Sequence, residues 1–247
     1  MDQDVVFQMR LADLVFQVRC RFPSTMHYCQ AYLTCNLEVD EEISITPKDV
    51  KQEGERLLSK KNPGQPLEAC TDPALEIIFL CRCIAECLPK HDRILFHGST
   101  LSMDGRGVLF TAKSGTGKST HTRLWRERFG DRVQMINDDK PFLHIEGDSV
   151  RVFGNPWRGK HGLGDNLSAP LKAICFVCRA EENRIEPISA RDLFPLLLQQ
   201  TYSPEDPEMM VRTLALVQRL SRNVRLYRLS CNMDPAAAEV AYRGIFG

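Results

Sequence analysis

The sequence lacks an excess of charge of either sign. Its 247 residues include 32 basic and 32 acidic side chains, so the formal net charge is zero. A broad field that would attract nucleic acid or an anionic membrane is therefore excluded, and we expect neither as a partner. Any anion-binding site in this chain has to be local.

Long apolar runs are also missing. The most apolar stretch, residues 75–88, is interrupted by three charged side chains and is too short to cross a bilayer. Residues 1–4 do not combine a basic segment with an apolar one, so we expect no signal peptide. The ten cysteines are scattered through a mid-sized chain, which indicates a reducing compartment, most simply the cytoplasm.

The pattern of predicted elements divides the chain into two parts. Apolar and polar residues alternate over residues 5–10 and 13–20, which predicts two strands, and further short strands are expected before Thr46. Residues 59–73 contain three prolines and a glycine and are typical of a linker. We therefore predict a small β-rich N-terminal subdomain over residues 1–65 and a main domain over residues 66–247.

Strands and helices alternate in the main domain. Helix starts are predicted at Asp72-Pro73, Ser203-Pro204 and Asp234-Pro235, where an N-cap residue precedes a first-turn proline. The alternation of elements predicts an α/β fold layered around a central sheet.

One segment, FTAKSGTGKST at residues 110–120, has the features of a nucleotide phosphate loop. A strand-like run precedes it and a helical pattern follows. Gly115 and Gly117 permit the backbone to turn its N–H groups toward an anion, Lys118 can reach the β and γ phosphates, and the Ser119 hydroxyl can ligate Mg²⁺. Ala112 stands where the pattern has its first glycine. The predicted nucleotide-binding residues are Ser114, Gly115, Thr116, Gly117, Lys118, Ser119 and Thr120.

A pair of carboxylates, Asp138 and Asp139, ends the next predicted strand. Adjacent carboxylates repel each other, so we expect one to be held by a metal and the other to be available as a base. An ordinary solvated turn is the alternative.

A histidine is expected at the entrance of the same loop. Residues 94–103 and 107–111 flank Asp104-Gly105-Arg106, which predicts a hairpin whose register brings His97 level with Ser114. From there His97 could orient a phosphoryl oxygen or a carboxylate, although a structural histidine is the alternative.

These residues resemble a known family in order and spacing. Over about residues 94–140, the segments FHGS, FTAKSGTGKST and NDD resemble the catalytic domain of HPr kinase/phosphorylase and its homologues. The same phosphate-loop lineage includes ATP-dependent phosphoenolpyruvate carboxykinase.

The resemblance implies a P-loop nucleotide-binding domain of this type. It implies that Lys118 contacts phosphates and Ser119 holds Mg²⁺, while Asp139 accepts the proton of a substrate hydroxyl and His97 assists. Asp138 is then assigned to the metal.

The segment 154–164 differs from the family pattern. It is rich in glycine and basic residues, and it has no carboxylate before Asp165, where HPr kinase has a further metal ligand. Arg158, Lys160 and His161 are donors suited to a phosphate or carboxylate, so we predict that they bind substrate. A solvated surface loop is the alternative.

These observations predict a phosphotransferase. It would be an ATP- and Mg²⁺-dependent kinase acting on a hydroxyl, most simply serine in a peptide, a protein or a small molecule. A carboxykinase-like activity and a nucleotide-binding regulatory role without transfer are the alternatives. The family resemblance also makes a homo-oligomer an expectation.

Overall fold

The mixture of strands and helices expected from the sequence is present in the computed structural model, which describes residues 4–59, 71–113 and 115–247. The α/β class is therefore confirmed. The chain divides into two units, Met1–Glu86 and Cys87–Gly247. No helix in the described ranges has the length and apolar character needed to cross a membrane.

The first unit contains a four-stranded sheet with the order β3-β1-β2-β4. The two predicted strands form its central hairpin. The strands are β1 (Val5–Leu11), β2 (Leu14–Cys20), β3 (Leu33–Thr34) and β4 (Glu41–Ser44). The helices are α1 (Pro23–Tyr28), α2 (Pro47–Ser59) and α3 (Asp72–Cys87), and a 3-10 turn covers Gln30–Tyr32.

Helix α3 belongs to the first unit, although the sequence assigned it to the main domain. A buried carboxylate of α3 contacts the first unit: Glu76 accepts hydrogen bonds from the Arg21 and Phe22 amides and from the Thr25 hydroxyl. These contacts link residues about fifty positions apart, and no local pattern predicts them. The predicted boundary at residue 65 lies outside the described residues.

The second unit consists of a nine-stranded sheet and four helices. The strands are β5 (Arg93–Leu95), β6 (Ser99–Met103), β7 (Arg106–Thr111), β8 (Val133–Asn137), β9 (Phe142–Glu146), β10 (Ser149–Phe153), β11 (Ser168–Arg179), β12 (Arg184–Pro187) and β13 (Arg225–Cys231). The helices are α4 (Lys118–Phe129), α5 (Ala190–Gln200), α6 (Pro207–Asn223) and α7 (Ala236–Phe246), with 3-10 turns at Leu88–His91 and Gly130–Arg132.

Strand β11 joins the two halves of this sheet. Its first residues pair with β10, and the remainder runs parallel to β7 on one side and to β13 on the other. The strand order is β5-β9-β10-β11-β7-β6-β8, with β13 beside β11 and β12 beside β13. Strands β7 and β8 both run antiparallel to β6, so β7, β8, β11 and β13 share one direction. Their carboxyl ends meet at one edge, where open α/β sheets bind ligands.

The sheet is covered on both faces. Side chains alternate along β7, so Phe110 packs with Trp125 of α4 and Ala241 of α7, whereas Leu109 packs with Leu197 and Leu216 of α5 and α6. Helix α5 was not predicted, and α6 begins at Asp206-Pro207 rather than at Ser203-Pro204. The Asp206 carboxylate accepts from the Met209 N–H and so caps α6.

The predicted strand over residues 94–103 is two strands with different partners. Strand β5 pairs with β9, and β6 pairs with β7 and β8. The predicted register would set Ser99 opposite Ala112, but Ser99 lies opposite Phe110. The turn is tighter than expected because Asp104 and Gly105 both adopt positive φ, at 48° and 77°. A slip of two residues keeps the same side chains on each face.

Candidate active site

The glycine loop, which we define as residues 112–120, comprises the connection after β7 and the first turn of α4, at the carboxyl edge of the sheet. Gly115 and Gly117 have φ values of 76° and 123°, and open space surrounds the position of a Cβ at each. Gly117 is the N-cap of α4 and has no side chain to bond the first N–H groups of the helix. Those groups, with the helix dipole behind them, are available to an anion. Ser114 lies outside the described residues.

An arginine distant in sequence holds the glycine loop. Arg179, the last residue of β11, donates hydrogen bonds to the carbonyl oxygens of Gly115 and Thr116. The C=O and N–H of a trans peptide point in opposite directions, so the Gly117 N–H points away from Arg179. The arginine therefore fixes the orientation of an amide that an anion can use.

Ala112, which replaces the first glycine of the loop pattern, is buried in the core beside Leu124 and Trp125. Its carbonyl oxygen accepts a hydrogen bond of 3.2 Å from Lys118 Nζ. Burial lowers the pKa of Lys118, while the charge of Asp139 acts in the opposite direction. The methyl group of Ala112 thus packs inside the domain, and its carbonyl holds the lysine.

Asp138 and Asp139 lie in a turn directly after β8. The side-chain oxygen of Asn137 accepts from the N–H groups of Asp139 and Lys140, at 2.9 and 2.7 Å. The Asn137 amide in turn donates to Asn155 Oδ1 at 3.2 Å. The two asparagines therefore fix the direction in which both carboxylates leave the strand.

His97 and Asp139 form a close pair. His97 Nε2 lies 3.2 Å from Asp139 Oδ1, and Lys140 Nζ lies 3.0 Å from Asp139 Oδ2. The hydrogen bond from His97, together with the charge of Lys140, lowers the pKa of Asp139 from 3.8 to about 2. Asp139 is therefore ionised at neutral pH, and its oxygens can accept a further hydrogen bond.

The other side of the His97 ring faces helix α5. Its Nδ1 lies 3.1 Å from Gln200 Oε1, and the Thr111 hydroxyl donates to the His97 carbonyl oxygen at 2.8 Å. The His97 N–H also donates to the carbonyl oxygen of Gln200. His97 lies between β5 and β6, and both its backbone and its ring are thus held by groups of β7 and α5.

Asp138 is covered by the segment 158–163. The Gly159 N–H donates to Asp138 Oδ1, and the Asp138 N–H donates to the Leu163 carbonyl oxygen. A Cβ at Gly159 would lie 3.2 Å from both Asp138 Oδ2 and Asp139 Cβ, so only glycine allows this close approach without a shift. Asp138 Oδ2 is buried and has no hydrogen-bond partner within the described part of the chain.

The unpaired oxygen of Asp138 is the observation that fits a metal ion. Mg²⁺ commonly takes one or two carboxylates and completes its shell with water and substrate phosphates. No three His, Cys, Asp or Glu side chains form a metal-binding cluster in residues 4–59, 71–113 and 115–247. Asp138 and Ser119 each carry an oxygen that Mg²⁺ can use in such a shell.

These groups line one cavity of about 800 Å³, which we name the Asp139 cavity. Of the predicted site residues it is lined by Gly115, Gly117, Lys118, Ser119, Thr120, His97, Asp138, Asp139, Lys160 and His161. Thr116 and Arg158 do not line it. Arg158 instead donates to the carbonyl oxygen of Gly162 in its own loop.

Two arginines of this cavity were not predicted. Arg123 and Arg126 line it from α4, one and two turns after Thr120. A spacing of three places residues on one helix face, so these positions could have been found by counting from the loop. Gln200, Asn155 and Arg179 were also missed, and they carried no local signal because their partners are distant in sequence.

Comparison with known proteins identified no matching family model and no matching curated protein. Solved structures that match include one titled "Structure of the Hpr(Ser) kinase/phosphatase from Coxiella burnetii". It is 11% identical, with a TM-score of 0.34, and the match covers 61% of this chain and 95% of that chain. This TM-score is too low to carry an argument about fold or activity.

Proposed function

We propose that this protein is a phosphotransferase that moves the γ phosphoryl group of ATP, with Mg²⁺, to a hydroxyl of serine in a peptide, a protein or a small molecule. One observation carries the proposal: the glycine loop with Lys118 and the His97–Asp139 pair line the same cavity. A phosphate-binding group and an ionised carboxylate on one cavity wall are the two elements that hydroxyl phosphorylation requires.

In this mechanism Asp139 accepts a hydrogen bond from the acceptor hydroxyl and takes its proton as the new O–P bond forms. The bond between the γ phosphorus and the bridging oxygen breaks, and ADP leaves with that electron pair. His97 fixes the position of the carboxylate through the contact at Oδ1. Lys118 and the amides at the start of α4 stabilise the negative charge on the transferring group.

Ser119 and Asp138 would hold the metal. Mg²⁺, when bound there, would neutralise charge on the β and γ phosphates. Asp138 contributes an oxygen that has no other partner in the described chain, and Gly159 keeps its second oxygen oriented.

The test is transfer from γ-labelled ATP to serine, to synthetic peptides and to proteins of a cell extract. We expect Asp139→Asn to retain MgATP binding, measured by calorimetry, and to lose about a thousandfold in transfer. Asp148→Asn is the control, because Asp148 lies in the exposed turn between β9 and β10. Unchanged transfer in Asp139→Asn would contradict the proposal. Tight MgATP binding without transfer to any acceptor would favour a regulatory nucleotide-binding role.

A carboxykinase activity is the second candidate, and the charge of the cavity wall favours it. Arg123, Arg126 and Lys160 line the Asp139 cavity, and oxaloacetate is a dianion that such groups would attract. An assay for ATP-dependent decarboxylation of oxaloacetate separates this candidate from the kinase.

A further inference from the structure

A second cavity also borders the glycine loop. It has a volume of about 500 Å³ and lies between the ends of β11 and β13. We name it the Met233 cavity. Its walls include the apolar side chains of Val177, Ala180, Cys231 and Met233, and more of the wall surface is apolar than polar. This size lies within the range of small-molecule sites in proteins.

The two cavities share part of the glycine loop. Gly115, Gly117 and Thr120 line both of them. A triphosphate that binds this loop has a transferring end and an end that carries its nucleoside. If the transferring end faces Asp139, the other end can extend into the Met233 cavity, which borders the same loop residues.

The inner wall of the Met233 cavity is neutral. Burial lowers the pKa of His121 from 6.5 to about 4, and the Trp125 indole N–H donates to His121 Nε2 at 2.9 Å. Burial raises the pKa of Cys231 to about 11. The charged lining residue is Arg179, and its guanidinium is bonded to loop carbonyls. An uncharged ring system suits this environment better than another phosphate does.

The outer wall combines a rigid frame with an exposed apolar side chain. Asn232 and Asn183 exchange hydrogen bonds of 3.0 Å, and Asn232 also donates to the Glu181 carbonyl oxygen at 2.7 Å. Next to this frame, Met233 is 76% exposed. A thioether at the mouth of an apolar cavity can pack against an aromatic ring and lose its contact with water.

We propose that the Met233 cavity holds the nucleoside of the phosphoryl donor, with Met233 covering the base and Val177 and Ala180 packing against it. This assignment rests on the proposed function, because it takes the triphosphate to lie on the glycine loop. It accounts for an apolar cavity beside an anion site, and for an exposed methionine on a loop that is hydrogen-bonded in place.

The test compares MgATP with magnesium tripolyphosphate, which has the phosphate chain and no nucleoside. Calorimetry on the full chain gives both dissociation constants. Met233→Ser removes the apolar cover at an exposed position, and Ala180→Phe fills the cavity. Val211→Ser is the matched control, because Val211 is 66% exposed on α6 and lies outside both cavities.

We expect the wild type to bind MgATP at least about tenfold more tightly than magnesium tripolyphosphate, because the nucleoside adds buried apolar area. Both cavity variants should reduce this ratio by weakening MgATP binding alone, and Val211→Ser should leave it unchanged. Equal wild-type affinities would overturn the nucleoside assignment while leaving phosphoryl transfer intact. A ratio that neither variant lowers, or equal weakening of both ligands, would also overturn it. If neither ligand bound, the result would contradict the proposed function as well as the nucleoside assignment.

Discussion

The Asp139 cavity and the Met233 cavity border the same glycine loop but differ in charge. The first is lined by two carboxylates, two lysines and two arginines, whereas the second is lined by apolar and uncharged polar side chains, a neutral histidine and one arginine already bonded to the loop. A nucleotide has the same division, with a charged end that reacts and a neutral end that gives specificity. The difference between the cavities therefore suggests how one short loop can orient a donor.

The largest effect on binding is expected at Lys118, which should contact the phosphates and not the nucleoside. Lys118→Ala removes a charge-assisted hydrogen bond to phosphate, so the affinities for MgATP and for magnesium tripolyphosphate should both fall about a hundredfold. Lys113→Ala, an exposed lysine in the same loop, should change neither. Loss of MgATP binding alone would contradict the division between the two cavities.

The buried His121, which lines the Met233 cavity, should lower the free energy of unfolding in acid. His121 takes up a proton near pH 6.5 in the unfolded chain but near pH 4 in the folded chain. The unfolded state therefore binds more protons between these values, and the free energy of unfolding falls as the pH drops through this range. Between pH 7 and pH 5 the loss should be about 2 kcal/mol.

Urea unfolding at the two pH values measures this contribution. His121→Gln should remove it, and the exposed His27→Gln should retain it. An identical pH dependence in His121→Gln and the wild type would show that His121 is not held neutral.

The His97–Asp139 pair should determine the pKa of Asp139 and the rate of phosphoryl transfer. His97→Ala removes the hydrogen bond that lowers the pKa of Asp139, so this pKa should rise from about 2 toward 3.8, with Lys140 still opposing the rise. Transfer should slow by about tenfold because the carboxylate loses its orientation. Carboxyl-detected NMR titration and the labelled-ATP assay measure the two effects. A pKa that stays near 2 in His97→Ala would contradict the pairing.

The smallest effect is expected at Arg179, which holds the loop between the cavities. Arg179→Lys retains the charge but loses the planar pair of donors that bonds Gly115 and Thr116. Binding of MgATP and of magnesium tripolyphosphate should weaken together, by about fivefold. Arg228→Lys, an exposed arginine on β13, is the control. Weakening of MgATP alone would mean that Arg179 contacts the nucleoside.

Several parts of the site could be predicted because their signals are local. The strand before Ala112, the two glycines and the helix after Lys118 are contiguous, so propensity and pattern are sufficient to place them. The Asp pair follows the next strand for the same reason. His97 was expected near the loop from a hairpin register that was two residues off. It lies between β5 and β6, outside the paired residues of the hairpin, and its contacts with Gln200 and Asp139 hold it at the cavity.

Other parts could not be predicted because they depend on contacts between distant segments. Gln200 reaches His97 from a helix that the sequence pattern did not indicate, and Asn155 reaches Asn137 from another strand end. The contacts of the buried Glu76, which join α3 to the residues after β2, likewise carried no local signal.

The sequence by itself determined the glycine loop, the carboxylate pair and the α/β class, since each depends on residues that are neighbours along the chain. Only the tertiary structure decided that Arg179 orients the loop, that Gly159 covers Asp138, and that a neutral cavity adjoins a charged one. Parallel strands bring their carboxyl ends to one edge whatever the length of chain between them, and sequence spacing does not report what meets there.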